Sequence, residues 1–407
     1  MENKLELLSP AGDMEALQYA VQYGADAIYL GATDFGMRAG AKNFSIEQGL
    51  ADAVHYAHEH GKKIYLTVNT IPTNKDMARI PQFLIAAAGA GVDAFIVADV
   101  GVMALATQIT PNVELHISTQ MGVMNYATAT TLYNLGAKRV VLARELSFED
   151  IAFIRENTPP ELELEAFVHG AMCMSISGRC LISHYLTGRD ANKGACAQPC
   201  RWEWELREKS RPGEVYTIGE DENYSYLLNA DDLCMAPFIN ILADVGVTSF
   251  KIEGRAKSFY YVASVTGAYR KALNAYTLGE EYLCPQEVLE ELTKTSHRKY
   301  STGFYFGREG ATQNTQTGGY HRDWEVVAEV KETQGGRIFC VQRGKFSEED
   351  AIEALLPDGS SLTLEWQDLQ DENGKPIEST PHPMMKFSFK CDKILQQYAL
   401  LRKKRQQ

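Results

Sequence analysis

Four stretches of the chain share one hydrophobic–polar rhythm: Gly24-Ala-Asp-Ala-Ile-Tyr-Leu-Gly31, Gly91-Val-Asp-Ala-Phe-Ile-Val-Ala-Asp99, Gly136-Ala-Lys-Arg-Val-Val-Leu-Ala-Arg144 and Gly246-Val-Thr-Ser-Phe-Lys-Ile-Glu-Gly254. In each, a glycine that stops a helix precedes a short apolar run, as where a helix feeds a buried strand. Helical spacing of apolar residues marks Met14–Tyr23, Ile46–His60, Lys75–Ala90, Val100–Ile109, Ala127–Leu135, Phe148–Asn157 and Ala236–Asp244. The strands between them are Leu5–Leu8, Asp26–Leu30, Lys63–Asn69, Ala94–Ala98, Glu114–Ile117, Arg139–Ala143, Leu162–Val168 and Ser249–Glu253. They are almost continuously apolar, as strands covered on both faces are. Strand–helix alternation predicts a parallel sheet, and eight strands favour a closed TIM-type (β/α)8 barrel, although an open doubly wound sheet has the same pattern.

Beyond Trp324 the texture changes to short β-rich runs (Glu325–Val330, Arg337–Gln342, Met385–Cys391) separated by turn signals such as Gly335-Gly336, Pro357-Asp358-Gly359 and Glu372-Asn373-Gly374. The pattern thus predicts a barrel over residues 1–320 with an insertion at about 170–235, a small C-terminal β-barrel domain over 325–400, and a solvated basic tail over 401–407.

With 407 residues, 45% hydrophobic and 23% charged, the chain has the composition of a globular protein able to bury a large core. It contains no apolar run long enough for a membrane span, and Met1 to Lys4 leads directly into a strand, so the expectation is a cytoplasmic protein. The net charge of −13 argues against a uniformly basic nucleic-acid-binding surface but leaves room for a local basic groove.

Eight cysteines in such a chain point to metal more than to disulfides. Cys173-x6-Cys180-x15-Cys196-x3-Cys200 follows the seventh strand in a glycine- and serine-rich stretch, with Cys234 further on. Four thiolates complete either a zinc site or an iron–sulfur cluster; only the Cys196/Cys200 pair has the close spacing of a zinc knuckle. Cys284, Cys340 and Cys391 stand alone and read as small packing residues. A loop after a barrel strand lies at the C-terminal mouth, where barrel enzymes place their chemistry.

The run Glu165-x-Phe-x-x-Gly-Ala-Met-Cys173, followed by Gly178-x-Cys180-x-Ile-Ser, resembles the signature of the peptidase U32 family. Leu-Leu-Ser-Pro-Ala-Gly12-Asp13, Gly194-Ala-Cys196-Ala-Gln-Pro-Cys200-Arg-Trp and Lys251-Ile-Glu-Gly-Arg255 are similar to its other marks, and the likeness extends over nearly the whole chain. Within the family, length and layout are most similar to the branch that hydroxylates C5 of the wobble uridine in tRNA, and that resemblance implies a cysteine-held [4Fe-4S] cluster and prephenate, not molecular oxygen, as co-substrate. Relatives hydroxylate a ribosomal cytidine or a quinone-precursor ring. The resemblance makes Cys173, Cys180 and Cys196 ligands, with Cys234 and Cys200 competing for the fourth place. The collagenase label finds little support: the chain has neither Gly-x-Ser-x-Gly nor His-Glu-x-x-His.

The polar residues predicted at the strand ends are Asp13, Arg38, Asn69, Asp99, Ser118, Gln120, Arg144, Glu145, Glu165, His169, Lys251, Glu253 and Arg255. His169, Lys251 and Glu253 are the candidates for acid–base work. A dianionic co-substrate calls for guanidinium forks, making Arg38, Arg144, Arg179 and Arg255 candidates for its carboxylates or for RNA phosphates. Glu165 sits within a strand and calls for a buried cation such as Lys251 or Arg255. Trp202, Trp204, Tyr216, Tyr224 and Tyr226 crowd the segment before Cys234 as core cover or as a platform for an extruded base. Alternating charge within Arg201–Asn223 predicts an exposed hairpin or lid.

Overall fold

A computed structural model describes residues 5–36, 42–172, 182–189, 191, 194–199, 205–207, 215–217, 230–279, 281–307, 310 and 320–405. Its first half repeats strand and helix: β1 (Glu6–Pro10), α1 (Met14–Gln22), β2 (Ala27–Gly31), α2 (Gly49–Glu59), β3 (Lys63–Val68), α3 (Asn74–Met77), α4 (Ile80–Gly89), β4 (Ala94–Val97), α5 (Val100–Ile109) and β5 (Glu114–Ile117). It continues with α6 (Tyr126–Asn134), β6 (Arg139–Val141), α7 (Phe148–Glu156), β7 (Glu163–Ala171), α8 (Ile182–Thr187), β8 (Glu205–Arg207), β9 (Val215–Thr217), β10 (Asp232–Cys234), α9 (Ile239–Asp244), β11 (Ser249–Ile252), α10 (Phe259–Thr277), α11 (Gln286–Thr293) and β12 (Tyr300–Ser301).

Strands β1 to β7 pair in parallel in chain order, and β11 pairs in parallel with both β1 and β7, closing an eight-stranded barrel. Polar residues at the strand ends start the helices: Asp13 accepts the Ala16 N–H for α1, Asp99 that of Val102 for α5, and Ser147 with Asp150 forms a capping box on α7. The single helix expected over Lys75–Ala90 is two helices, because Pro81 cannot donate within a helix and instead sits in the first turn of α4. Helix α10 was not legible as a periodic stripe. Tyr261 through Tyr269 are all buried, since the helix lies between the barrel and the C-terminal sheet and has no solvent face there. Strands β8 and β9 form an antiparallel hairpin inside the predicted insertion.

The C-terminal half-barrel contains β13 (Trp324–Gln334), β14 (Arg337–Gln342), β15 (Glu353–Leu355), β16 (Ser361–Thr363), β17 (Trp366–Asp371), β18 (Lys386–Cys391) and β19 (Leu400–Lys404), in the order β16-β15-β19-β13-β14-β18-β17. Its core is Val327, Ile338, Phe346, Leu369, Phe387 and Phe389, with Cys340 and Cys391 packed among them. The basic tail expected over 401–407 is corrected here. Leu400–Lys404 is an interior strand paired with β13 and β15, and Arg402 is fully buried.

Arg402 ties this sheet to the barrel. Its guanidinium donates to both oxygens of Glu291 on α11, at 2.6 and 2.5 Å, and to Glu353, which also receives Lys294 at 2.7 Å. Tyr19 of α1 and Tyr23, which caps its C-terminus, pack with Leu355 and Leu400, and Tyr23 donates to the Leu355 carbonyl at 3.2 Å. Gly359, at φ +75°, approaches so closely that a Cβ would lie 2.8 Å from the Gly267 carbonyl of α10. Removing one partner of a buried pair strands the other charge. Arg402→Met is therefore expected to lower the unfolding free energy by about 3–5 kcal/mol in guanidinium denaturation, and Arg402→Met/Glu291→Leu to recover part of it. Undiminished stability of the single variant would refute this coupling.

Candidate active site

Beneath the mouth, the barrel interior has an apolar layer of Leu8, Ala27, Tyr29, Tyr65, Ala94 and Ile96. Against it lies a buried ionic network. Arg139 of β6 donates to Glu6 of β1 at 2.5 Å, Glu163 at 2.7 Å and Glu165 of β7 at 3.0 Å. Glu165 also receives Lys251 of β11 at 2.6 Å and the Ser249 hydroxyl at 3.1 Å. Burial pushes the Glu165 carboxyl up, but Lys251 and Arg139 more than reverse this and hold it below the ordinary carboxylate range. The Lys251 ammonium, 4.5 Å from the Tyr29 ring centre, is thus engaged within the framework. His116 is also enclosed: its ring stands edge-on to Tyr65 at 4.6 Å, and burial, followed by Arg139, drives its pKa well down.

Above this floor, Arg144 and Arg255 come to the mouth from different strand ends. Arg255 donates to the Thr67 hydroxyl at 2.8 Å and to Asn43 Oδ1 at 2.7 Å. Its guanidinium lies against Gly31, where a Cβ would sit 2.2 Å from the nearer terminal nitrogen. Only glycine leaves that space. Arg144 donates to the Ala171 carbonyl at 2.6 Å, lies 3.8 Å over the Phe167 ring, and is 3.7 Å from Glu253. Among the described residues, the buried Nε of Arg144 and Oε1 of Gln120 have no hydrogen-bond partner. Buried polar groups in this state suit a ligand that completes them. Asn69 donates to Ser118 at 3.4 Å nearby, Asp13 pairs with Lys42 at 2.8 Å, and Arg38 and Arg179 lie outside the described residues.

His169 occupies a tyrosine cage. A register shift between β7 and β11 accompanies its turn toward α10, where Nδ1 is 3.3 Å from the Tyr269 hydroxyl and Nε2 is 3.5 Å from that of Tyr300. Burial, then the charges of His297 and Lys257, lowers its pKa to about 3, so the ring is neutral at neutral pH and can exchange hydrogen bonds but carries no standing charge. Glu253 receives a backbone anchor from Tyr261, whose hydroxyl donates to its carbonyl at 2.9 Å. The cage of Tyr261, Tyr269 and Tyr300, like the Gly31–Thr67–Asn43 cradle, was not anticipated. These residues are remote in sequence, and no local motif links them.

Of the expected cysteine ligands, Cys173, Cys180 and Cys200 lie outside the described residues, as do Trp202, Trp204, Tyr224, Tyr226 and the side chain of Tyr216. Cys196 is exposed and its sulfur accepts the Gln198 N–H at 3.3 Å. Cys234 lies on β10, which runs antiparallel along the end of β7 with Cys234 opposite His169 and Asp232 opposite Ala171. β7 ends two residues before Cys173 in the sequence. Burial pushes the Cys234 thiol up to about 11 against the opposing effects of the Ala236 N–H and the Tyr269 hydroxyl. Such a thiol is protonated by itself and becomes a thiolate when a metal's charge replaces the proton. The Gln198 N–H on Cys196 and the Tyr269 hydroxyl on Cys234 are donors of the kind that cluster thiolates accept, so the chemistry of these two cysteines is compatible with a thiolate-held cluster.

Fold and site together define an α/β-barrel protein with a polar mouth, beside which β10 carries Cys234 along the end of β7. The chain belongs to peptidase family U32: the family matches residues 12–315, and its C-terminal domain matches residues 322–402. It is 36% identical to "tRNA hydroxylation protein P1" of Bacillus subtilis over 98% of this chain and 95% of that protein. It is 34% identical to "tRNA hydroxylation protein P" of Escherichia coli, covering 92% of this chain and 91% of that one. Similarity to the "23S rRNA 5-hydroxycytidine C2501 synthase" of Escherichia coli, at 39% identity, covers 67% of this chain and 40% of that protein. Among the described residues, no helix is long and apolar enough to cross a membrane.

The ionic floor has a testable signature. Glu165→Gln leaves Lys251 without its carboxylate and is expected to cost about 3–5 kcal/mol at pH 7. Because the Glu165 carboxyl is held below its ordinary value, its contribution is complete above pH about 4.5 and is lost as pH falls further. Denaturation at pH 7 and pH 3.5 should show the wild-type advantage shrinking at the lower pH. An advantage constant with pH would overturn this assignment.

Proposed function

We propose that this chain hydroxylates RNA, forming 5-hydroxyuridine at the wobble position of tRNA. The reading is carried by end-to-end similarity to proteins named for tRNA hydroxylation, which extends through the C-terminal half-barrel, whereas the ribosomal relative shares less than half of its own length with this chain. The mouth supports it by offering donors from separate strand ends, above a floor fixed by the Glu165 network.

In this reading prephenate is the co-substrate, and Arg144 and Arg255 receive its two carboxylates, since guanidinium forks match carboxylate geometry. Gly31, Thr67 and Asn43 orient Arg255; Phe167 and the Ala171 carbonyl orient Arg144. Cys173, Cys180, Cys196 and Cys234 hold a [4Fe-4S] cluster, which supplies one-electron or Lewis-acid chemistry when bound. Cys234 is preferred over Cys200 because β10 lies along the end of β7, beside the strand that leads into Cys173. Glu253 and the neutral His169 stand on the same strand ends, where Glu253 is the better placed to accept a proton.

Nucleoside mass spectrometry of tRNA from a deletion strain is expected to show loss of 5-hydroxyuridine derivatives; unchanged tRNA would sink the proposal. Anaerobically purified Cys173→Ala and Cys234→Ala should each lose iron and visible absorbance, while Cys200→Ala keeps both. Zinc in place of iron in the wild type would overturn the cofactor. Gly31→Ala, which displaces the Arg255 guanidinium, is expected to raise the KM for prephenate at least ten-fold, with a smaller effect on the melting temperature.

A further inference from the structure

Tyr320 is surrounded by positive charge. Its ring centre lies 4.7 Å from the Arg298 guanidinium, 4.9 Å from the Lys257 ammonium and 5.5 Å from the Arg322 guanidinium. Arg298 is fixed there: it donates to the Tyr320 hydroxyl at 2.9 Å and to the Ala230 carbonyl at 3.3 Å, and lies 3.7 Å from Asp232. Lys257 donates to the Ser296 carbonyl at 3.4 Å. Among the described residues, neither Lys257 nor Arg322 has a carboxylate within ion-pair reach. In a chain of net charge −13, three cations around one ring are not a background of basic residues. The repulsion between the Lys257 and Arg322 charges across the ring is what an anion would relieve.

Aromatic rings continue from this patch. His297 stacks on Tyr300 at 4.4 Å with planes 10° apart, and His321 stacks on His297 at 5.2 Å. The backbones of His297 and His321 bond to each other, fixing the residues on either side, Arg298 beside one and Tyr320 and Arg322 beside the other. The patch adjoins the mouth: Lys257 follows Arg255 by two positions, and Asp232, which holds Arg298, lies two positions before Cys234. Tyr320 is half-buried, with part of its surface accessible.

We infer that Lys257, Arg298 and Arg322 around Tyr320 form a docking site for single-stranded RNA at the rim of the barrel, the cations taking backbone phosphates and the Tyr320 ring taking a stacked base. The pairing of basic side chains with a partly accessible aromatic ring is the chemistry single-stranded nucleic acid requires. This inference rests on the reading of the chain as an RNA-modifying protein. It adds the surface that presents the substrate to the mouth, which neither arginine within the mouth supplies.

The full-length protein is to be titrated against a fluorescent RNA hairpin carrying a seven-nucleotide loop, and against the same stem closed by a short tether, across a salt series. Lys257→Gln/Arg322→Gln is expected to reduce the slope of log affinity against log salt by about 1.4, at roughly 0.7 per phosphate contact. Tyr320→Leu is expected to weaken loop binding by about five-fold or more while leaving that slope unchanged. Thermal melting should show both variants folded. Wild-type affinity and slope in the double variant overturn the site, as does equal binding of looped and tethered RNA, or a wild-type protein that binds neither. Loss of modified nucleoside in the deletion strain together with unaffected binding by the variants rejects this surface alone; intact tRNA modification with impaired binding rejects the hydroxylase reading alone.

Discussion

Closure of the barrel depends on Glu165. One buried carboxylate on β7 meets Arg139 from β6 and Lys251 and Ser249 from β11, and Arg139 extends the contact to Glu6 on β1. These are the strands on either side of the seam where the ring closes. A hydrophobic seam would leave pairing register to shape alone, whereas a buried charge tolerates no arrangement in which it lacks its partners. The network therefore works as a register device as much as a source of stability, and it freezes the floor on which the mouth is built.

That rigidity has consequences for the chemistry. Lys251 and Glu165 are committed to one another, so reactive groups have to come from the layer above: Arg144, Arg255, Gln120 and Glu253 on strand-end loops, with His169 set aside in its tyrosine cage. Division of a barrel into a fixed lower layer and an adaptable rim is the usual arrangement of the fold. Here the rim is extended by β10 and β12, appended to the overhanging end of β7, so that Cys234 and the basic, aromatic patch around Tyr320 belong to one continuous edge.

The C-terminal half-barrel is joined by the same type of device. Arg402, on a strand that the basic composition of its surroundings disguised as a solvated tail, is buried against Glu291 and Glu353. The first charge of a run of four basic residues reads as surface in a sequence, and nothing local reveals its partner Glu291, 111 positions away. The same blindness applied to α10, where burial on all sides over Tyr261–Tyr269 erases the stripe by which helices are recognised.

All eight barrel strands and most of the helices around them were written in local pattern, because strand burial and helix caps are properties of neighbouring residues. Which polar side chains face one another was not. The pairing of Glu165 with Lys251 instead of Arg255, the cradle of Gly31, Thr67 and Asn43 around Arg255, the caging of His169 and the gathering of three cations on Tyr320 all join residues from separate strands and loops. Only the tertiary fold brings them together, since the partner of a buried charge is chosen by distance in space, and a linear pattern of hydrophobicity carries no measure of that distance.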